Sequence, residues 1–342
     1  MIDRQYKNKM ISQIFSKIPV SFLGRLTRTN LIIPYYHIIG DEEILHVKHL
    51  YKYKTIRAFK EDLDILLKNY SPMSLLEILD FIRTDRPLPK DVFLLTFDDG
   101  YREMHDIVAP ILLEKGISAT FFVNSAFIDN KQMCYLNKAS ILVEQFQKSS
   151  SSRLEEKLSA MLHSNENRLK DIKSGILSIK YHQRNLLDEI ADVMDTNISD
   201  YLLRNKPYLT TNQIYKLIGE GFTIGAHSVD HPLYSSLSIG EQVNQTIESV
   251  QFVRNRFHLS YGVFAFPHTD GNISREFFLK ISDSGLIDLS FGTFGLMDDN
   301  VPNHFQRFSL EKPIGSADKI VAFQYARKLR KLVTRNPTII RK

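Results

Sequence analysis

Apolar runs of strand character alternate with helical patterns along most of the chain. "LIIPYYHII" (31–39) precedes helical periodicity at 58–70 and 74–83. "VFLLTFDD" (92–99) precedes the helical stretch "MHDIVAPILLEKG", and "SATFFVN" (118–124) follows it. After a break the alternation resumes. "TTNQIYKLIGEG" leads into "FTIGAHS", "SIGEQVNQTIESVQFVRNRF" into "GVFAFPH", and "SREFFLKISDSG" into "LIDLSFGT"; "QRFSL" (306–310) precedes a last long helix. Near-continuous apolar strands separated by amphipathic helices indicate a parallel sheet covered by helices. Glycines in "EKGIS", "GEGFT" and "DSGLI" fall just before strands, where a helix end favours a left-handed cap. Seven such strands predict a closed α/β barrel, with an open doubly wound sheet as the alternative.

The break, at about 130–205, is rich in Ser, Lys and Glu and carries helical periodicity in "SRLEEKLSAMLH" and "YHQRNLLDEIADVMD". It is too long for a bare connector. It reads as a helical insertion that caps the barrel over the substrate mouth. The expected organisation is therefore a helical extension over 1–30, a barrel over 31–335 interrupted by that insertion, and a basic tail over 336–342.

Composition narrows the function classes more than the fold. With 43% hydrophobic and 24% charged residues among 342, the chain matches a soluble globular protein with a large core. The single cysteine, Cys134, excludes an intramolecular disulfide and a cysteine-based zinc finger. Net charge is +5, and basic residues gather in "ARKLRKLVTRNPTIIRK". No nucleic-acid reading module accompanies that patch, so nucleic acid is not an expected partner. No apolar run reaches the roughly 18 residues that cross a bilayer. The first 30 residues lack the uninterrupted apolar core and small-residue cleavage site of a signal peptide. The expected location is the cytoplasm or the inner face of its membrane. Phe15, Ile18, Phe22 and Leu23, set among Lys and Arg, offer a packing face at one end of the domain or, alternatively, a peripheral membrane contact.

In a parallel barrel the active site gathers at the C-terminal ends of the strands. "VFLLTF" ends in Asp98 and Asp99, followed by Gly100. "FTIGA" ends in His227, with His231 one short turn later; "GVFAFP" ends in His268 and "LIIPYY" in His37. Asp99, His227 and His231 form a three-ligand set. Two imidazoles and a carboxylate suit zinc or a related divalent transition metal and leave positions for water and substrate. Pro232 biases His231 away from a helical backbone, so the pair belongs to a strand-to-loop exit. Asp98 and Asp99 also suit a helix N-cap. Two adjacent carboxylates at an apolar strand end are nonetheless costly unless something there needs them.

"LTFDDGY" (95–101) and "HSVDHP" (227–232) resemble the first two motifs of the polysaccharide deacetylase family, carbohydrate esterase family 4, with its NodB-homology domain. "YYHIIGD" is similar to the Y-H element of the branch acting on surface polysaccharides. The resemblance covers about 31–310, less the insertion. It implies a deformed (β/α)7 barrel, in agreement with the strand count. It also implies that Asp98 is the general base and that Asp99, His227 and His231 hold the metal. The implied substrate is a carbohydrate: an N-acetyl or related acyl group would be hydrolysed from an amino sugar of a polysaccharide or its lipid- or nucleotide-linked precursor. Tyr101 closes the first motif and Pro267 lies in the third, which makes both candidates either for contact with the substrate or for support behind the residues that touch it.

The later motifs depart from the family pattern. Where members commonly show R-x-P-Y, with the Arg holding the base, this chain has "FAFPHTDG": Ala265 replaces the Arg, and His268 follows Pro267. Arg307, on "QRFSL", is the candidate partner for Asp98 from another strand. The L-H-D context of the catalytic-acid histidine has no match. His304 in "VPNHFQRFSL" is nearest by position, with His268 and His37 as rivals. Two further readings stay open, a sugar O-deacetylase and a catalytically eroded carbohydrate-binding barrel, although the intact D-D and H…H set argues against the second.

Overall fold

The computed structural model describes residues 13–162, 169–311, 315–334 and 338–342. They fold as two compact units. One holds the described residues up to Asp41 together with Tyr53–Ser125 and Thr211–Lys342; the other holds Glu42–Lys52 and Ala126–Thr210.

The first unit is built on one parallel sheet. Its strands are β1 (Pro34–Tyr36), β2 (Leu95–Phe97), β3 (Ala119–Val123), β4 (Thr223–Ala226), β5 (Val263–Ala265), β6 (Leu289–Gly292), β7 (His304–Gln306) and β8 (Phe308–Ser309). The order across the sheet is β7-β6-β5-β4-β3-β2-β1-β8. β7 and β8 are two halves of one segment, separated only by Arg307. The first half pairs with β6 (His304 opposite Ser290) and the second with β1 (Phe308 opposite Pro34). One bent strand thus supplies both edges, and the sheet closes as a deformed (β/α)7 barrel.

Strand alternation sorts the side chains into two layers. Ile33, Leu94, Phe122, Val263, Ala265, Leu289 and Phe291 pack into one buried core. On the other face Tyr36, Phe97 and Phe121 form an aromatic row with Phe59 of the helix Ile56–Asn69. Thr55, Ser74, Ser238 and Ser274 start their helices by accepting an N–H of the first turn, and Glu77 and Glu241 complete capping boxes. The helix expected after "FDDGY" begins instead as a widened π-type turn, Met104–Val108, and becomes regular at Ala109–Lys115. Pro110 has no N–H to continue the ordinary ladder, which accounts for the irregular start.

The second unit contains the helices Tyr135–Ser149, Ser152–Met161, Leu169–Ser178, Leu186–Val193 and Ile198–Asn205. Leu142, Val143, Phe146, Leu158, Ile172, Ile176, Leu187 and Ile190 give it a core of its own. Sequence pattern places 42–52 in the barrel region, whereas the structure groups that segment with these helices. Ser140 Oγ donates to the Leu45 carbonyl at 2.7 Å, and Lys48 and His49 both meet Glu144, at 2.9 and 3.1 Å.

At the N-terminus, residues 1–12 of the expected extension lie outside the described residues; in the helix Val20–Thr27, Leu23 packs inward and Phe22 is exposed. Of the basic tail, 336 and 337 lie outside the described residues. The rest is docked: Thr338–Ile339 pairs in parallel with Asp298–Asp299, and Arg341 is 5% exposed. Among the described residues no helix is long and apolar enough to cross a membrane.

Candidate active site

Thr96 and Asp98 lie two positions apart, so both face the barrel interior. Arg307, at the bend between β7 and β8, reaches both. Its Nη1 donates to Thr96 Oγ1 at 3.1 Å and to Asp98 Oδ1 at 2.7 Å, and its Nη2 donates to Asp98 Oδ2 at 2.9 Å. The Gly292 carbonyl accepts from the Arg307 backbone N–H at 3.2 Å and from its Nε at 3.4 Å. The guanidinium lies 4.8 Å from the Tyr35 ring centre and 5.2 Å from that of Phe122. Arg307 is 0% exposed and Asp98 2%. A charge buried this completely must be paired and hydrogen-bonded, and the two-pronged contact does both. Burial alone would push the Asp98 carboxyl up, but Arg307, with His227 and His37, brings it below its ordinary value. Asp98 is an ionised carboxylate held in one orientation.

Asp99 would point to the opposite face of a continuing strand. Its backbone turns instead, with φ +77°, and Gly100 follows at φ +69°. The turn swings Asp99 Oδ1 to 3.5 Å from His227 Nε2 and 3.1 Å from His231 Nε2. One ligand atom from each of the three residues lies within 4.8 Å of the others. His227 Nδ1 lies 2.9 Å from the Ala265 carbonyl. In a neutral ring that contact makes Nδ1 the donor, and the lone pair on Nε2 faces the carboxylate. Asp99 Oδ1 is buried and accepts no hydrogen bond. A buried carboxylate oxygen facing an imidazole lone pair is unfavourable unless a cation lies among them. The three residues therefore fit a divalent metal, and their N,N,O donor set suits zinc or a related transition metal.

The histidine loop is fixed by its own hydrogen bonds. Ser228 Oγ accepts the His231 N–H at 3.0 Å, and Asn124 Nδ2 donates to the His227 carbonyl and, at 3.3 Å, to Ser228 Oγ. Sequence reasoning missed Asn124, although it is the first polar residue after the apolar run of β3. Ser228 and His231 hold φ of +70° and +65°, and His268 holds +56°. Left-handed backbone at non-glycine residues clusters at functional sites, where the surrounding bonds impose it.

His37 follows β1. Its Nδ1 lies 2.6 Å from Glu311 Oε2, and its backbone N–H donates to Glu311 Oε1 at 3.0 Å. Burial acts to lower its pKa, yet the charge and hydrogen bond of Glu311, helped by Asp99 and Asp98, raise it to about 9. The side chain keeps 26% exposure, so it is within reach of a ligand. Glu311 was also missed; it lies four residues beyond Arg307, on the same face of the last strand's continuation. His268 is exposed, with its ring centre 4.5 Å from that of His231 in an edge-on contact, and Pro267 and Tyr101 are buried in the adjoining turns.

The structure does not bring His304 to this group. As the first residue of β7, three before Arg307, it takes the opposite face. It is 3% exposed, with Nδ1 2.8 Å from Ser290 Oγ and Nε2 3.2 Å from Asp270 Oδ2. Its neighbours are Asp270, Asp299, Gln306 and Arg341, a second buried polar cluster that sequence reading did not anticipate. The expectation of His304 as a rim acid is replaced by this outward, enclosed position.

A sequence profile of the polysaccharide deacetylases matches residues 85–286. The chain belongs to the polysaccharide deacetylase family. As such it is a hydrolase with a carbohydrate substrate. No curated protein matches this deacetylase by sequence. Solved structures of similar fold include the Streptococcus pyogenes deacetylase PplD in complex with acetate, at 14% identity and TM-score 0.54, covering 86% of this chain and 98% of that one. IcaB from Ammonifex degensii gives 15% identity and TM-score 0.53 over 86% and 97% of the two chains. A de-N-acetylase from Aggregatibacter actinomycetemcomitans gives 13% and 0.52 over 86% and 99%. At these identities the likeness is one of fold.

Proposed function

We propose that this deacetylase hydrolyses the N-acetyl group of an amino sugar in a surface polysaccharide or its precursor, with a divalent metal at Asp99, His227 and His231. The observation that carries the reading is the juxtaposition of two adjacent carboxylates with opposite surroundings. Asp98 is clamped by Arg307, while Asp99 faces two imidazoles. A metal held by the three ligands, zinc being the choice of this donor set, supplies Lewis-acid charge and acidifies water.

The chain's own residues supply the proton transfers. Asp98 accepts the proton of the attacking water: each of its oxygens spends one lone pair on Arg307 and retains another. Arg307 holds the carboxylate so that the free lone pairs keep their direction. His37, kept protonated at neutral pH by Glu311, donates a proton to the departing amine nitrogen. His268, exposed beside His231, flanks the site as a substrate contact. The structural neighbours described as a deacetylase with acetate and as a de-N-acetylase support acetyl release from nitrogen.

The test is incubation of the zinc-loaded protein with N-acetylglucosamine pentamers of β-1,4 and β-1,6 linkage, with acetate and new primary amine both quantified. Equal amounts of the two are expected from at least one pentamer. Acetate from an O-acetylated glycan, with no new amine from either pentamer, would favour the O-deacetylase. A fully metallated protein releasing no acetate from any of these would favour the binding barrel.

A further inference from the structure

We infer that Arg341, remote in sequence from every motif above, is a positioning residue that keeps Arg307 aligned on Asp98. The inference rests on Asp98 acting as the base. Arg341 lies in the second polar cluster. Its Nη2 meets Asp270 Oδ2 and, at 2.8 Å, Asp299 Oδ2; its Nη1 donates to the Asp270 carbonyl, and its Nε to Asp299 Oδ2 at 3.1 Å. Asp270, Asp299 and His304 alone have the spacing of a metal site. Here the guanidinium already supplies the cation, so the cluster is a closed ionic network.

That network reaches the base through a few bonds. Asp270 Oδ1 accepts the Thr293 N–H at 2.9 Å, and Asp270 Oδ2 accepts Gln306 Nε2 at 2.8 Å. Gln306 Oε1 accepts the Phe294 N–H at 2.8 Å. Asp270 and Gln306 thereby grip the backbone at 292–294 from the outer face of the barrel. The fit is close, since a Cβ on Gly292 would overlap both side chains. The Gly292 carbonyl is the group that receives the Arg307 backbone N–H and Nε. Gln306 and Arg307 are consecutive and face opposite ways: one is held from outside, the other clamps Asp98 within. Without Arg341, Asp270 and Asp299 become two buried carboxylates without their cation. Their displacement moves the Gly292 carbonyl and Gln306 together, and with them the fork on Asp98.

Misplacement of a reacting group by about 1 Å can cost on the order of a hundredfold in rate. Arg341→Gln is therefore expected to lower kcat about 10- to 100-fold on the responsive pentamer, with KM and zinc content unchanged. It should also shift the Arg307 Nε–H signal in a proton–nitrogen correlation spectrum. Lys328→Gln is the control. Lys328 is 3% exposed and pairs with Asp298 at 2.9 Å, yet among the described residues it has no bond to the Asp270 network. It should lower Tm while leaving kcat and the Arg307 signal in place. If Arg341→Gln does not fold, Asp299→Asn removes one anion from the network and should shift the same signal with a smaller fall in kcat. The inference is overturned if the folded Arg341 or Asp299 variant loses only thermal stability, or if kcat falls only in step with zinc. The spectrum needs no substrate, so a wild-type protein inactive on both pentamers would sink the proposed function while the coupling was still read.

Discussion

The barrel carries two Asp/His clusters of nearly the same composition, and they differ in what answers their negative charge. Around Asp270, Asp299 and His304 every carboxylate is met by a donor of the chain itself: the Arg341 guanidinium, the Gln306 amide or the Thr293 N–H. Around Asp99, His227 and His231 the buried Oδ1 accepts no hydrogen bond, and the Arg307 guanidinium is committed to Asp98. Spacing alone selects both clusters as metal sites. A count of donors and acceptors separates a completed ionic network from one that needs an external cation.

The largest effect should come from the first cluster. His227→Ala or His231→Ala should abolish zinc retention, read by elemental analysis, and with it acetate release. His304→Asn should keep full zinc content and lose thermal stability. Zinc loss in His304→Asn with retention in the His227 variant would invert the comparison.

Next in size is Asp98→Asn, which keeps shape but cannot take a proton. It should slow acetate release by about two to four orders of magnitude while zinc stays near the wild-type level. Zinc loss equal to that of Asp99→Ala would make Asp98 a ligand.

A smaller, pH-dependent effect is expected at His37. With its pKa raised to about 9, the acid form persists through neutral pH, and the alkaline limb of kcat should fall near pH 9. Glu311→Gln should draw that limb back toward the ordinary histidine value of about 6.5. The same shift has a stability consequence. A group whose pKa rises on folding stabilises fully below its unfolded value and loses that contribution as pH climbs through the folded one. The stability gap between wild type and Glu311→Gln should therefore be complete below about pH 6.5 and close as pH passes about 9. A gap that is constant across this window would remove the ion pair from the account.

The smallest effect on the barrel should follow exchange of residues 130–205 for a Gly/Ser linker. Those helices bury their own core around Leu142, Phe146 and Ile176, so the remaining barrel should still unfold in one cooperative transition. Loss of that cooperativity would show that the helices complete the barrel.

Much of this was legible because barrel strands are apolar for their whole length and end abruptly in polar residues. Asp98, Asp99, His227 and His231 stand at such ends, and Arg307 interrupts the last strand. What escaped were residues whose meaning depends on a distant partner. Glu311 matters through His37, 274 positions away, and Arg341 through Asp270, 71 positions away. No local period encodes either pairing. His304 was misplaced for a related reason: its position in the chain suggested the rim, while strand alternation turned it outward. A parity count back from Arg307 would have shown this.

Closure of the barrel by one bent strand also has a bearing on how activity is acquired during folding. β8 meets β1 across nearly the length of the barrel sequence, and contacts between such distant segments form late. Arg307 sits at that junction. Before the ring closes, Asp98 lacks its guanidinium and the carboxylate has no fixed aim. With Asp98 as the proposed base, a chain whose ring is still open should therefore be hydrolytically silent and should gain competence in the step that completes the ring.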